Sequence, residues 1–309
     1  MAIYETFSYS ENLPQRILVQ LPDKLKISGE RDSDILLILR LLSGNVKLTH
    51  AYSDKKIKSR VNYFSSNLTA FSNWNREFPN LLSEDVTADD FSIFIDENKY
   101  INKAFYSKIL SELSQFILHD KNGSHTSAFI YIYRVLEKIS YAFPLIYASK
   151  SQDFMSSFNQ LKELMVGDKE KKELGFFKIF IKMLYEDDSI SSTSIDININ
   201  ANDIDVQRQM YKVLREVSGN EITHDDSIEF NKFSIKFCEM GSFIINVRNR
   251  FFHNLNSSAN NIESNRIVDS DEFFSFINPM AMHWVAMVFL EVTTYSLSEF
   301  QSHRTSVLV

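Results

Sequence analysis

The chain has 309 residues, of which 44% are hydrophobic and 24% are charged, a balance that excludes an intrinsically disordered protein. Its formal net charge of -7 argues against a protein that coats long nucleic acids, because such binding relies on many Lys and Arg contacts with phosphates. An enzyme that cuts one phosphodiester needs positive charge only at that phosphate, so this class stays open. Glycine and proline form turns and end helices, and the chain has only 7 glycines and 5 prolines. Because these residue types are scarce, the composition predicts a mainly α fold.

The first 121 residues are predicted to form a mostly helical N-terminal domain with a possible small β element. Residues 1–30 mix apolar and polar runs in a way that favours strands or irregular structure. Apolar residues at helical spacing and capping residues then indicate several helices. These are predicted over 34–44, over 54–74, from Thr87 onward and over 100–117. The polar turn at 120–123 ends the last of them and marks a domain boundary.

Residues 122–309 are predicted to form a second domain, a helical bundle. Ser124 is expected to cap an apolar helix that Pro144 ends or kinks. Residues 187–205 are rich in Ser, Asn and Asp and are predicted to form a long loop or hairpin. Further helices follow from the spacing of apolar residues, over 153–166, 170–186, 206–218, 230–252 and 273–300.

Cysteine usage and the chain start indicate a cytoplasmic protein. Cys238 is the only cysteine, which excludes an internal disulfide and fits a reducing compartment. The sequence MAIYETFSYSENLPQR has neither the basic nor the apolar region of a secretory signal. The apolar stretch at 277–297 is interrupted by His283 and Glu291, so a buried core helix is expected there and no membrane contact.

A short motif, RNRFFH at residues 248–253, ends the helix predicted over 230–252. It enters an Asn-rich polar stretch, where side chains can reach a substrate. The pattern R-N-x-x-x-H resembles the signature of HEPN domains, in which an Arg and a His are separated by a short spacer and Asn often follows the Arg. The resemblance covers residues 124–300. It implies an all-helical bundle, and many members of that family are ribonucleases.

The motif residues carry the chemistry that the resemblance implies. His253 has a side chain that titrates near neutral pH, so it can move a proton to or from a ribose hydroxyl. Arg248 is a permanent cation suited to the charge that develops on phosphorane oxygens. Asn249 is expected to orient the imidazole or bind a phosphate oxygen. Cleavage would use the RNA 2′-hydroxyl and leave a 2′,3′-cyclic phosphate, with no metal and no cofactor.

Three further residues are expected to contact the RNA. Arg250 would add positive charge for the backbone, and Asn254 lies just beyond the motif. Glu137 lies on the first helix of the bundle, which in this family can present a polar residue to the site. Another interpretation of Glu137 is an ion pair with Arg134, three residues before it on the same helix.

Helix geometry makes the predicted site conditional. In an unbroken helix, Arg248 and His253 would point about 140° apart and would not meet at one phosphate. The helix must therefore end near His253, or a second subunit must complete the site. The resemblance implies the second solution, a homodimer that pairs two motifs in one composite cleft.

The resemblance also implies a role in growth arrest, as a toxin or an abortive-infection effector in anti-phage defence that cuts tRNA or other cellular RNA. An active ribonuclease needs control, so an antitoxin or another regulatory partner protein is expected. The alternative is a catalytically silent HEPN scaffold or sensor subunit that dimerises and couples to a partner. In that case Arg248 and His253 would only stabilise the helix dipole, by about 0.3 to 1 kcal/mol each. His224-Asp225-Asp226 lacks a second His or Cys at ligand spacing, so no metal site is expected.

Overall fold

The structure is a computed structural model. It describes residues 5–69, 74–75, 77–150, 153, 155, 158–159, 162, 173–186, 188–218, 230–252 and 261–307. Helices dominate and the strands form two small sheets, which confirms the predicted mainly α fold. The helix predicted over 153–166 falls mostly outside the described residues.

Two compact units make up the chain. The first comprises Met1–Leu118, Ser149–Gln152 and Ala286–Val309, and the second comprises His119–Ala148 and Asp153–Val285. The change from the first unit to the second lies close to the predicted boundary after residue 121. The end of the chain groups with the first unit, which the predicted division into 1–121 and 122–309 does not anticipate. Whether either predicted domain folds or functions alone stays a prediction.

The first unit combines four helices and the end of the chain's last helix with an antiparallel sheet of order β1-β2-β3 in the part of the chain that the structure describes. The strands are β1 (Phe7–Glu11), β2 (Val46–His50) and β3 (Lys55–Lys58). The helices are α1 (Gln15–Leu18), α2 (Asp34–Leu42), α3 (Ala88–Asn98) and most of α4 (Lys103–Lys121), with 3-10 turns at Asp23–Leu25 and Phe78–Leu81.

One predicted helix of this unit, 54–74, is wrong. Asp54 has a positive φ of 49° and closes the turn between β2 and β3, after which only Ile57 of β3 is buried. The start predicted at Thr87 is confirmed, because its side chain and that of Asp90 form a capping box at α3. The end predicted at 120–123 is also confirmed, because α4 ends at Lys121 and Gly123, two residues later, has a φ of 75°.

A buried ion pair ties β1 to α2. The Arg40 side chain is fully buried and pairs with the Glu11 carboxylate. Its Nη2 also donates to the backbone oxygen of Asn45 at 3.1 Å, and its guanidinium lies 4.9 Å from the ring centre of Trp74. These contacts hold α2 in place beside the sheet.

The second unit contains most of α5 (His125–Lys150) and the first part of a long final helix, α10 (Ser270–Val307). Between them lie four helices and two strands of the described chain: α6 (Glu173–Leu184), β4 (Ser194–Asn198), α7 (Ile204–Ser218), β5 (Lys232–Lys236), α8 (Met240–Phe252) and α9 (Ser264–Ile267). Short 3-10 turns at Ser189–Ser192 and Phe237–Glu239 precede β4 and α8.

Two predictions for this unit need correction, and a third, at Pro144, is narrowed. The helix predicted over 230–252 is wrong in its first part, where β5 pairs antiparallel with β4 and α8 begins only at Met240. The stretch 187–205 holds β4, whose partner strand follows after α7, so it is not a self-contained hairpin. Pro144 is predicted to end or kink its helix, and the first of these outcomes is excluded because α5 continues to Lys150.

Close packing fixes both ends of α8 within this unit. At its start, a Cβ built on Gly241 would lie 2.9 Å from Cη2 of Trp284, so only glycine fits against this fully buried indole. At its end, the Phe252 ring lies 6.2 Å from that of Phe129 on α5, and Phe251 lies 5.0 Å from Phe274 on α10.

By length and composition, α10 is long and apolar enough to cross a membrane, and among the described residues it is the one helix that passes this test. However, 72% of its most apolar window lies buried inside the protein. The same test is passed by the core helix of a soluble protein, as the sequence predicts for 277–297.

Candidate functional site

The motif arginine of α8 faces α5. Arg248 places its Cζ 4.6 Å from the ring centre of Tyr133, within the range of a cation–π contact. Tyr133 is only 6% exposed, whereas Arg248 is half-buried. The guanidinium therefore rests with one face on a buried ring that holds it in position.

Asn249 completes the immediate setting of this arginine. Arg248 Nη1 donates a hydrogen bond to Asn249 Oδ1 at 3.0 Å. A guanidinium has five N–H donors, and this is the one hydrogen bond of Arg248 within the described chain. Its other side-chain donors have no partner among the described residues, and donors of this kind suit an anionic acceptor such as a phosphate oxygen.

Tyr133 links the arginine to an acid. Its hydroxyl donates to the carboxylate of Glu137, which lies one helical turn further along α5 and is exposed. The pKa of Tyr133 is raised, first by burial and then by the charge of Glu137, while the Arg248 charge acts in the opposite direction. The phenol therefore stays protonated near neutral pH and remains a hydrogen-bond donor.

Arg250 has partners on the opposite side of α8. Its Nη1 donates to the backbone oxygen of Glu216 at 2.8 Å, in the last turn of α7. Its own carbonyl accepts from the Ile262 N–H at 2.8 Å. These contacts satisfy a helix-terminal carbonyl and give Arg250 a structural role. Its predicted contact with RNA stays a prediction.

The other two predicted site residues, His253 and Asn254, lie outside the described residues. α8 is described as far as Phe252, the residue before the motif histidine. The structure thus brings together Arg248, Asn249 and Glu137 from the predicted set. It says nothing about the distance from Arg248 to His253.

Sequence reasoning missed Tyr133. The motif concerns residue types along one helix, whereas Tyr133 belongs to the site through a contact with another helix. A signal was present, because Tyr133 and Glu137 are four residues apart and so share one face of α5. A polar aromatic residue on the same face as a candidate acid deserved inclusion.

The described residues contain no group of three or more His, Cys, Asp or Glu placed to hold a metal ion. The sequence cluster His224-Asp225-Asp226 lies outside them. What the described part of the site offers is a positioned guanidinium, an amide beside it and a tyrosine-bound carboxylate.

No protein-family model, no curated protein and no solved structure matches this chain.

Proposed function

We propose that this chain is a metal-independent endoribonuclease of the HEPN type, with Arg248, Asn249 and His253 as its catalytic residues. The observation that carries the proposal is the setting of Arg248, which rests on Tyr133, bonds Asn249 and has further N–H donors without a partner among the described residues. A guanidinium held in this way suits a phosphate whose negative charge increases in the transition state.

The proposed reaction is an internal transfer. His253 takes the proton of the RNA 2′-hydroxyl, and the 2′-oxygen attacks the adjacent phosphorus. Arg248 donates hydrogen bonds to the phosphorane oxygens. The bond to the 5′-oxygen breaks, that oxygen receives a proton, and a 2′,3′-cyclic phosphate remains. In a homodimer, the second His253 supplies the proton to the leaving oxygen, so two motifs complete one site.

Glu137 has a supporting place in this proposal. Its carboxylate is held by the Tyr133 hydroxyl beside Arg248, where it can accept a hydrogen bond from a ribose hydroxyl of the RNA. Arg250 and Asn254 are proposed to contact the backbone beyond the scissile phosphate. DNA lacks the attacking hydroxyl and should resist cleavage.

The activity test uses purified full-length protein, RNA and a matched DNA in EDTA. Wild type should cut the RNA and leave a cyclic phosphate, while Arg248→Ala and His253→Ala should lose activity by about 100-fold or more. Arg208→Ala is a matched control, because Arg208 also lies over a ring, that of Phe230 at 5.2 Å, but away from the motif. Strict dependence on a divalent metal would contradict the mechanism.

The biological role proposed is growth arrest in the cytoplasm, as a toxin or abortive-infection effector held in check by an antitoxin or another regulatory partner. Induced expression of the wild type should stop growth, and expression of Arg248→Ala or His253→Ala should not. Equal growth with all three chains would count against this role.

A second candidate function is a HEPN scaffold or sensor subunit without catalysis. One observation favours it, because Arg250 is committed to the last turn of α7 and so contributes to packing. A scaffold would form the same dimer with or without Arg248 and would leave RNA intact. Sedimentation of the wild type and Arg248→Ala, beside the cleavage assay, distinguishes the two functions.

A further inference from the structure

Two adjoining cavities lie in the first unit at the N-terminal end of α2. They have volumes of about 310 Å³ and 250 Å³, and both are lined by Arg31 and Asp32. Taken together they reach the size of a small-molecule site. They are far along the chain from the motif of α8, and the ribonuclease proposal gives them no role.

The smaller cavity holds an unsatisfied helix start. Ser33 is the N-cap of α2, is 5% exposed and lines this cavity, yet its Oγ has no hydrogen-bond partner among the described residues. The first N–H of α2 that bonds back along the helix is that of Leu37, to the Ser33 oxygen. The preceding N–H groups have no helical acceptor, and such an end attracts anions.

Four cations line the same cavity: Lys24, Lys26, Arg31 and Lys99. Four carboxylates line it as well: Asp23, Glu30, Asp32 and Asp96. The formal charges balance, so the way in which these groups are paired decides what the cavity can bind.

The pairing leaves N–H donors of the cations available, although the formal charges of the lining balance. Lys24 and Lys99 share one oxygen, Asp96 Oδ1, at 3.0 Å each. The Asp32 carboxylate is occupied by Ser28 and by the Gly29 N–H, at 2.7 to 3.0 Å.

Arg31 forms no ion pair or hydrogen bond with the described residues, and its backbone has a φ of 57° that few side chains adopt. Of the lining carboxylates, Glu30 is the one with no side-chain partner in the described chain. A phosphate between Arg31, Lys99 and the start of α2 would meet donors on several sides.

The larger cavity contains an acceptor without a donor, whereas the smaller cavity contains donors without an acceptor. Asp34 Oδ2 is buried and has no hydrogen-bond partner among the described residues. Burial raises the pKa of this carboxyl, and Lys103 nearby opposes that shift. An unpaired buried carboxylate oxygen is costly, so a ligand with N–H donors would be favoured there. Glu5 also lines this cavity, and its charge adds to the rise in the Asp34 pKa. Hydroxyl-bearing residues complete the polar lining: Thr6, Ser8, Tyr9, Ser107 and Ser111.

We propose that the two cavities form one binding site for a guanine nucleotide. Its phosphate would occupy the cavity of Ser33, Arg31 and Lys99, and its base would enter the neighbouring cavity. There the adjacent N1–H and N2–H donors of guanine match the two oxygens of the Asp34 carboxylate. This activity is separate from the proposed ribonuclease, and either can hold without the other.

Calorimetric titration of the full chain in EDTA tests the proposal with three probes: guanosine 5′-monophosphate, guanosine and inorganic phosphate. The monophosphate should bind at least about tenfold more tightly than either half, because charge-assisted hydrogen bonds form at both ends. Absence of binding at millimolar concentration, or equal affinity for inorganic phosphate and the monophosphate, would overturn it.

Two variants locate the site. Arg31→Gly removes the guanidinium at a backbone position that glycine adopts freely, and should weaken the monophosphate about tenfold or more. Asp34→Asn should weaken the monophosphate but leave the affinity for inorganic phosphate unchanged. Lys108→Gln, an exposed lysine of the same unit outside both cavities, is the matched control.

Melting curves of each variant establish that it is folded before titration. An unchanged affinity in folded Arg31→Gly, or an equal loss in Lys108→Gln, would refute the assignment. RNA cleavage by Arg31→Gly should match that of the wild type, so the two proposals fail independently.

Discussion

Tyr133 contacts its neighbours through two chemically different parts. The ring carries the guanidinium of Arg248 at 4.6 Å, whereas the hydroxyl binds the carboxylate of Glu137. The contact with Arg248 requires only an aromatic ring, and the contact with Glu137 requires only the hydroxyl group. Substitutions at this position can therefore separate the positioning of the arginine from that of the acid.

Tyr133→Phe keeps the ring, so we expect its free energy of unfolding to lie within about 1 kcal/mol of the wild type, since the exposed Glu137 regains water. Tyr133→Leu removes the surface under Arg248 and should destabilise the protein by about 1 to 3 kcal/mol. If the chain is a ribonuclease, Tyr133→Leu should also slow cleavage more than Tyr133→Phe does. Urea denaturation and an RNA cleavage assay measure these effects, and identical behaviour of the two variants would contradict the cation–π interpretation.

At the residue scale, the sequence indicates which residue types could act together, but not what surrounds them. Residue types and spacing single out Arg248, Asn249 and Glu137, and the structure places these three in one neighbourhood. Tyr133 escapes such reasoning because the contact that brings it to Arg248 joins helices more than 100 residues apart in the chain. Local patterns contain no information about which helices pack together.

At the scale of elements, the segment before α8 shows why the spacing of apolar residues led to a wrong helix prediction over its first part. Phe230, Phe233 and Phe237 recur at helical spacing, which favours one helix over 230–252. However, Phe233 and Ile235 also alternate, and both are buried where β5 pairs with β4. This segment forms a strand because it pairs with β4, about 40 residues earlier in the chain. A pattern read over neighbouring residues does not include that partner. By contrast, α3 carries its own start signal, and its capping box could be predicted.

The N-terminus of α5 depends on an acid from another element. Asp271, in the first turn of α10, accepts a hydrogen bond from the Thr126 N–H at 2.7 Å. No acidic residue lies in the first turn of α5 itself. The backbone hydrogen bond from Thr126 is the main cause of a lowered Asp271 pKa.

We expect Asp271→Ala to cost about 1 to 2 kcal/mol at pH 7, the usual effect of losing a helix cap. Because the folded-state pKa lies below the unfolded value of about 3.9, the stabilisation is complete above that pH and is lost as the pH falls through the folded pKa. The difference between wild type and variant should therefore narrow below about pH 3.9. Urea denaturation across this range measures it, with Asp205→Asn as an exposed control. A pH-independent difference would contradict the assignment.

For the whole molecule, a net charge of -7 limits how a ribonuclease could hold its substrate. Few cations flank the described part of the site, so affinity for RNA should come from a small number of phosphate contacts. With His253→Ala, which would bind without cutting, we expect the logarithm of affinity to fall against the logarithm of salt concentration with a slope between about -1 and -3. A slope steeper than about -5 would indicate an extended basic surface elsewhere. Filter binding over a range of salt concentrations gives this slope.

Composition predicts the overall architecture well, because scarce glycine and proline leave long helices with few interruptions. Composition does not predict the two small sheets. Their strands have four or five residues each, too short for alternation to stand out from a helical pattern.

The close contact between Gly241 and Trp284 constrains the position of the whole of α8. Gly241 lies seven residues before Arg248, about 10 Å along the axis, and nothing larger than a hydrogen fits between it and the buried indole of Trp284. The close contact at Gly241 thus fixes the start of the helix that carries the arginine near its other end. A methyl group added at position 241 would force α8 or Trp284 to move. If α8 tilts by a few degrees at this point, the guanidinium of Arg248 is displaced. A substitution at position 241 could thus move the arginine away from Tyr133 without changing either of these two residues.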